Sequence, residues 1–195
     1  APVTSYNIER STNGTTWSTI VTNYTNGITY TDTGLTTAQV YHYRILANNT
    51  YGSSIPSTSA STMASDVPSQ VTGVTSTTLI NYEIQLDWVA PNNNGYGISG
   101  YTIERSLDGV TWSTLINDTQ NTNITYTDNN LTSGQMYYYK VSAINQVGTG
   151  SLSASTNTSA GNTPDTNVLT ATAVAPAQID LSWSVPNDNG FTLTK

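Results

Sequence analysis

An internal repeat of about 95 residues constrains this chain more than any other feature. Tyr6-Asn7-Ile8-Glu9-Arg10-Ser11 returns as Tyr101-Thr102-Ile103-Glu104-Arg105-Ser106, and Trp17-Ser18-Thr19 returns as Trp112-Ser113-Thr114, both at an offset of 95. Ile28-Thr29-Tyr30-Thr31-Asp32 returns unchanged as Ile124-Thr125-Tyr126-Thr127-Asp128 at offset 96, so the second copy carries one extra loop residue. Leu86-Asp87-Trp88-Val89-Ala90-Pro91 is matched by Leu181-Ser182-Trp183-Ser184-Val185-Pro186, again at 95. Short solenoid units repeat every 20–45 residues, so a period this long is a whole domain.

The repeat is out of phase with the chain. Residues 67–161 make one complete unit. Residues 1–66 correspond to the later part of a unit and lack its first two strands. Residues 162–195 correspond to the first strands of a further unit. Phe191–Lys195 and Ala1–Ser5 fall at equivalent repeat positions, so head and tail together amount to one more unit.

The local pattern is β throughout. Ile84, Leu86 and Trp88 alternate with polar neighbours, as do Tyr137, Tyr139, Val141 and Ala143. Period-two alternation rich in Thr, Tyr, Ile and Val marks half-buried strands. Asn13-Gly14, Asn94-Gly95, Asp108-Gly109 and Asn189-Gly190 are turn signals between them. Strands at this spacing over one repeat predict a two-sheet antiparallel sandwich.

Pro68, Trp88, Pro91 with its Asn/Gly-rich loop, Tyr101-x-Ile103-Glu104-Arg105 and Leu131-x5-Tyr137-x-Tyr139-Lys140-Val141-Ser142-Ala143-Ile144-Asn145-x-x-Gly148 resemble the fibronectin type III family. The resemblance covers the complete unit and both partial ones. It implies an all-β chain of tandem fibronectin type III-like sandwiches, one complete and two complementary partial units. It further implies that Trp88 fills the core and that Tyr137 forms a tyrosine corner. Such domains serve as spacers, adhesins and binding modules, so the family names a fold rather than an activity. The cell-adhesion tripeptide Arg-Gly-Asp of animal members is absent, and the Thr/Asn-rich style is similar to microbial secreted or surface proteins.

Composition narrows the function. Five basic residues against twelve acidic ones leave a formal charge of −7, which argues against a nucleic-acid partner. The chain has no cysteine and one histidine, which removes disulfides, thiolate chemistry and His-rich metal sites. No apolar run approaches the length of a membrane span, so no membrane insertion is expected. Only 9% of residues are charged, whereas Thr, Ser and Asn number 36, 22 and 21. The surface is therefore solvated by hydroxyls and amides.

Each group able to do chemistry has a structural reading that fits the repeat better. Glu9 and Glu104 recur beside Arg10 and Arg105, as cross-strand partners would; paired glycosidase carboxylates need a cleft that a sandwich strand does not offer. His42 is replaced by Tyr138 in the next copy, which fits an outward-facing strand position and not a catalytic base. The loops Asn92–Gly95 and Asn187–Gly190 contain a single carboxylate, Asp188, too few for calcium. Tyr41, Tyr43, Tyr137 and Tyr139 alternate into the core rather than forming a carbohydrate platform. No catalytic, cofactor-binding or metal residue is assigned, and neither an enzymatic activity nor a cofactor is expected. Sequons at Asn13, Asn23, Asn48, Asn117, Asn123, Asn130 and Asn157 are candidate glycosylation sites in a secreted chain.

These readings converge on a structural, non-catalytic subunit or segment of an extracellular filament, stalk or surface layer. Its partner is itself: Ile179, Leu181 and Trp183 of one copy complete the head of another, giving a head-to-tail homopolymer. Ala1-Pro2-Val3 suits a start left by a signal peptidase; a longer covalent array is the alternative arrangement. The alternative function is a module binding glycans or cell-surface molecules within a larger secreted enzyme or adhesin.

Overall fold

A computed structural model describes residues 1–190. The expected equivalence of Phe191–Lys195 with the start of the chain lies outside the described residues. Two compact units emerge, residues 1–68 with loops 93–97 and 145–148, and the remainder of the chain. The described residues form strands, turns and loops without a helix.

The first unit is one sheet built from β1 (Ser5–Ser11), β2 (Ser18–Tyr24), β3 (Val40–Asn49), β4 (Gly52–Ser53) and β5 (Ala60–Met63). Its order is β2-β1-β3-β4, with β5 also paired to β3. Tyr6 and Ile8 alternate with polar neighbours along β1, the arrangement of a sheet with one face meant for a core.

The complete sandwich follows in β6 (Thr72–Leu79), β7 (Glu83–Val89), β8 (Gly100–Ser106), β9 (Ser113–Ile116), β10 (Thr125–Asp128), β11 (Met136–Ile144) and β12 (Thr156–Ser159). One sheet has the order β10-β7-β6 and the other β12-β11-β8-β9. Ile84, Leu86 and Trp88 from the first sheet meet Tyr101, Ile103, Tyr139 and Val141 from the second in one buried cluster, with Tyr126 half-buried at its edge. The Trp88 and Tyr101 rings meet edge-on, 5.0 Å apart. Tyr137 makes the corner the resemblance implies: its hydroxyl oxygen accepts the Thr132 N–H at 3.0 Å. Tyr41 repeats that bond with Thr36, also at 3.0 Å.

The tail forms a hairpin of β13 (Leu169–Ala175) and β14 (Gln178–Trp183), and every residue of both strands is exposed. Its register copies that of β6 and β7 at four successive positions. Thr75↔Asp87, Ser76↔Leu86, Thr77↔Gln85 and Thr78↔Ile84 become Thr170↔Ser182, Ala171↔Leu181, Thr172↔Asp180 and Ala173↔Ile179. The pairing of β1 with β3 likewise copies that of β8 with β11 at all seven positions.

Candidate functional site

The ionisable side chains of the two large repeats perform the same structural task twice. The Arg10 guanidinium donates to Asp32 at 2.9 Å, and the Tyr43 hydroxyl donates to the same carboxylate at 2.9 Å. In the sandwich, Arg105 donates to both oxygens of Asp128, at 3.2 and 2.9 Å, and the Tyr139 hydroxyl donates at 2.8 Å. Burial, followed by the bond to Asp32, pushes the Tyr43 phenol up to about 12. Tyr139 is raised by burial first and by the Asp128 charge second. A carboxylate clamped between a guanidinium and a phenol is a staple for strand ends.

These partnerships refine the sequence reading. Glu9 does pair across strands, with Arg44 at 2.5 Å, whereas its neighbour Arg10 turns to Asp32. The Arg44 guanidinium also covers the Trp17 ring at 4.3 Å, and Lys140 covers Trp112 at 4.0 Å. Asp32 and Asp128 were not singled out from the sequence. The signal was present, because both end the identical segment Ile-Thr-Tyr-Thr-Asp.

His42 sits on the outward side of β3, with its ring over Gly14; Tyr138 lies in the same way over Gly109. Both glycines have positive φ, 73° and 74°, and a Cβ would stand 3.4 Å from the His42 ring and 3.2 Å from the Tyr138 ring. The position therefore needs glycine for backbone and space alike. Asn13 and Asp108 hold these turns by accepting backbone N–H groups. Asn13 takes those of Thr15 and Thr16, and Asp108 those of Val110 and Thr111. The bonds from Thr111 and Val110 hold the Asp108 carboxyl well below the usual carboxylate range.

The Asn-rich loops act through their amides. Asn94 Nδ2 donates to the Val67 carbonyl at 2.8 Å, and Asn189 Nδ2 donates to the Thr163 carbonyl and to Asp165, both at 2.9 Å. Among the described residues no cluster of three or more His, Cys, Asp or Glu side chains is placed to hold a metal. The sequons divide into two kinds. Asn13, Asn23, Asn117, Asn123, Asn130 and Asn157 are exposed, whereas Asn48 is half-buried and its Nδ2 already donates to Ser5 and Asn7.

A groove on the first unit is lined by Tyr6, Ile8, Tyr24, Ile28, Tyr30 and Ile45. Tyr24 and Tyr30 meet edge-on at 5.6 Å, and the Tyr24 hydroxyl donates to the Thr29 carbonyl. Ile45 is 45% exposed here, while its counterpart Val141 is fully buried. Ile179, Leu181 and Trp183 stand open on β14, at 65%, 56% and 64%, while their counterparts Ile84, Leu86 and Trp88 are core.

Comparison with known proteins fits this architecture. Residues 69–159 match the fibronectin type III domain family. Exoglucanase B of Cellulomonas fimi is 32% identical over 178 residues, covering 83% of this chain and 16% of that protein. A Kelch domain-containing protein of Sulfurisphaera tokodaii is 27% identical over 135 residues, covering 69% of this chain and 18% of that one. The chain thus spans less than a fifth of the length of either relative. Among solved structures, the FN1–FN3 domains of chicken CNTN1 share 22% identity at a TM-score of 0.45, covering 94% of this chain and 66% of that one. Domains from titin share 22% at a TM-score of 0.47, covering 78% and 53%. Residues 69–159 thus form a fibronectin type III domain, and strand pairings of matching register recur before and after it.

Proposed function

We propose that this chain is a non-catalytic structural segment of an extracellular filament, stalk or surface layer, in which sandwich units join head to tail by strand complementation. One observation carries the reading: the first unit and the tail hairpin expose the two halves of one sandwich core. Exposed strand edges and apolar faces recruit partners, and a head-to-tail contact propagates unless its rotation closes a ring. The clamped carboxylates support a structural role, because the groups that could act on a substrate hold strands together in both copies. The hydroxyl-rich surface supports an extracellular placement, which would make the exposed sequons available for glycan.

A second reading has its own support. Similarity to a protein named Exoglucanase B suits an accessory module, within a larger secreted enzyme, that holds polysaccharide or spaces other domains. Sedimentation of the purified chain over a concentration series, with electron microscopy of the heaviest fraction, tests the first reading. Concentration-dependent growth into linear particles is expected. A monomer at all concentrations that co-pellets with cellulose or another insoluble polysaccharide would replace the first reading with the second.

A further inference from the structure

We propose that the connector between successive repeats is a latch and not a flexible tether, closed by the side-chain amide of Asn94 at one connector and of Asn189 at the next. The inference does not need the assembly reading above. It holds equally for a filament subunit and for a spacer in a longer chain.

Two connectors lie inside the chain, residues 64–68 and 160–164, one within each compact unit. Each is held first by the repeat it leaves. Ala64 donates its N–H to the Gln39 carbonyl at 2.9 Å and accepts the Ala38 N–H at 2.8 Å. Ala160 makes the same pair of bonds with Gln135 at 3.1 Å and Gly134 at 2.9 Å. Each connector is then held by the loop that follows. The Asp66 N–H donates to the Asn94 carbonyl at 3.0 Å, and Asn94 Nδ2 donates to the Val67 carbonyl at 2.8 Å. Asn162, Asn189 and Thr163 repeat both bonds, each at 2.9 Å. Ser65 alone separates the two anchorages at the first connector. Gly161 does so at the second, and there its carbonyl also accepts the Tyr82 N–H at 3.0 Å. A tether needs a run of residues whose backbone groups face water, and neither connector contains such a run.

Close packing and burial support the latch. Gly95 and Gly190 have positive φ, 110° and 90°. A Cβ on Gly95 would stand 3.1 Å from the Ser65 Cβ, and one on Gly190 would stand 2.8 Å from the Ala160 carbonyl oxygen. The loop therefore lies directly against the connector, and the position needs glycine for backbone and space. Asn145, 4% exposed, joins the connector to two loops at once. Its Nδ2 donates to the Asp66 and Asn93 carbonyls at 2.8 and 2.9 Å, and its Oδ1 accepts the Val147 and Gly148 N–H groups at 2.8 and 3.1 Å. Both donors and both lone pairs of the amide are thus in use, and a buried amide so satisfied is costly to displace.

Two aspartates, one residue apart, test the latch on the full chain. Asn94→Asp turns the donor that faces the Val67 carbonyl into an acceptor. Asn93 uses its side-chain oxygen to accept the Gly95 N–H at 3.1 Å, which Asn93→Asp keeps while adding the same charge. Amide hydrogen exchange resolved by NMR reads the Asp66 N–H, with the amides of β11 reporting on the fold. In the parent chain the Asp66 amide should exchange at least about tenfold slower than an unstructured peptide. Asn94→Asp should remove most of that protection and Asn93→Asp little. An Asp66 amide at the unstructured rate in the parent chain overturns the latch. Protection that survives Asn94→Asp, or that both aspartates remove alike, overturns the assignment to Asn94. Should Asn94→Asp open β11 as well, the Asp66 and Asn162 amides of the parent chain still decide, because a tether leaves both unprotected and a latch protects both.

Discussion

Trp88 and Trp183 occupy the same repeat position, yet one is 3% exposed and the other 64%, so truncating each to alanine isolates what tertiary burial contributes. A tryptophan buries about 150–250 Å², which at about 25 cal/mol per Å² is about 4–6 kcal/mol for Trp88. The edge-on contact with Tyr101 adds about 0.5–1.5 kcal/mol. Trp88 Nε1 is buried without a hydrogen-bond partner, and removing it returns about 1–3 kcal/mol of desolvation cost. The net expectation for Trp88→Ala is a loss of about 3–5 kcal/mol, in line with large-to-small core changes generally. Trp183→Ala, in a chain dilute enough to be monomeric, should change the sandwich by less than about 0.5 kcal/mol. Urea denaturation followed by far-ultraviolet circular dichroism measures both, and hydrogen exchange across β7 and β11 assigns the transition to the sandwich. Equal losses for the two variants, or a loss below about 1 kcal/mol for Trp88→Ala, would refute the burial difference on which the reasoning depends.

Other outcomes follow from the clamps and turns. Asp128→Ala strands a guanidinium and a buried phenol and should cost about 3–5 kcal/mol, whereas Asp32→Ala, in the more open unit, should cost less; denaturation midpoints rank them. Asp108 has a depressed folded pKa, so its contribution is complete above the ordinary carboxylate range and is lost as pH falls below it. Asp108→Asn, which copies Asn13 of the first unit, should keep the turn and flatten that acid dependence, as read by amide chemical shifts of Val110 and Thr111. Tyr43 has a raised folded pKa, so its contribution is complete below the ordinary value of 10.0 and is lost as pH climbs through about 12. Its ionisation should appear near that pH in a tyrosinate absorbance titration, and Asp32→Asn should bring it lower.

Much of the fold was legible because β-sandwich strands carry their own instructions. Alternation in residues 83–88 and 137–143 assigns the buried face, Asn-Gly and Asp-Gly mark the turns, and the repeat sets where units begin. The inward positions of Tyr137 and Tyr139 and the outward position of His42 follow from period two alone. The partners of the charged groups did not follow. Arg10 stands beside Glu9 in sequence, yet the pleat sends neighbours to opposite faces, and the nearer carboxylate in space is Asp32, 22 residues away. Nothing in the local pattern encodes that distance. The half-burial of Asn48 escaped for the same reason, since its amide meets Asn7 only through the pairing of β1 with β3.

The segment Ile-Thr-Tyr-Thr-Asp separates the two sources of information. The sequence by itself determines its β preference, its alternation and the carboxylate that ends it, and these are identical at residues 28–32 and 124–128. Tertiary structure decides that one copy supplies strand β10 and the other stays irregular, because a strand's backbone groups need a neighbour and only the second copy has β7 beside it. The same holds for Trp88 and Trp183. Their side chains and flanking residues make each an inward-facing position, but burial is a property of what lies opposite, and that is present for the first and missing for the second.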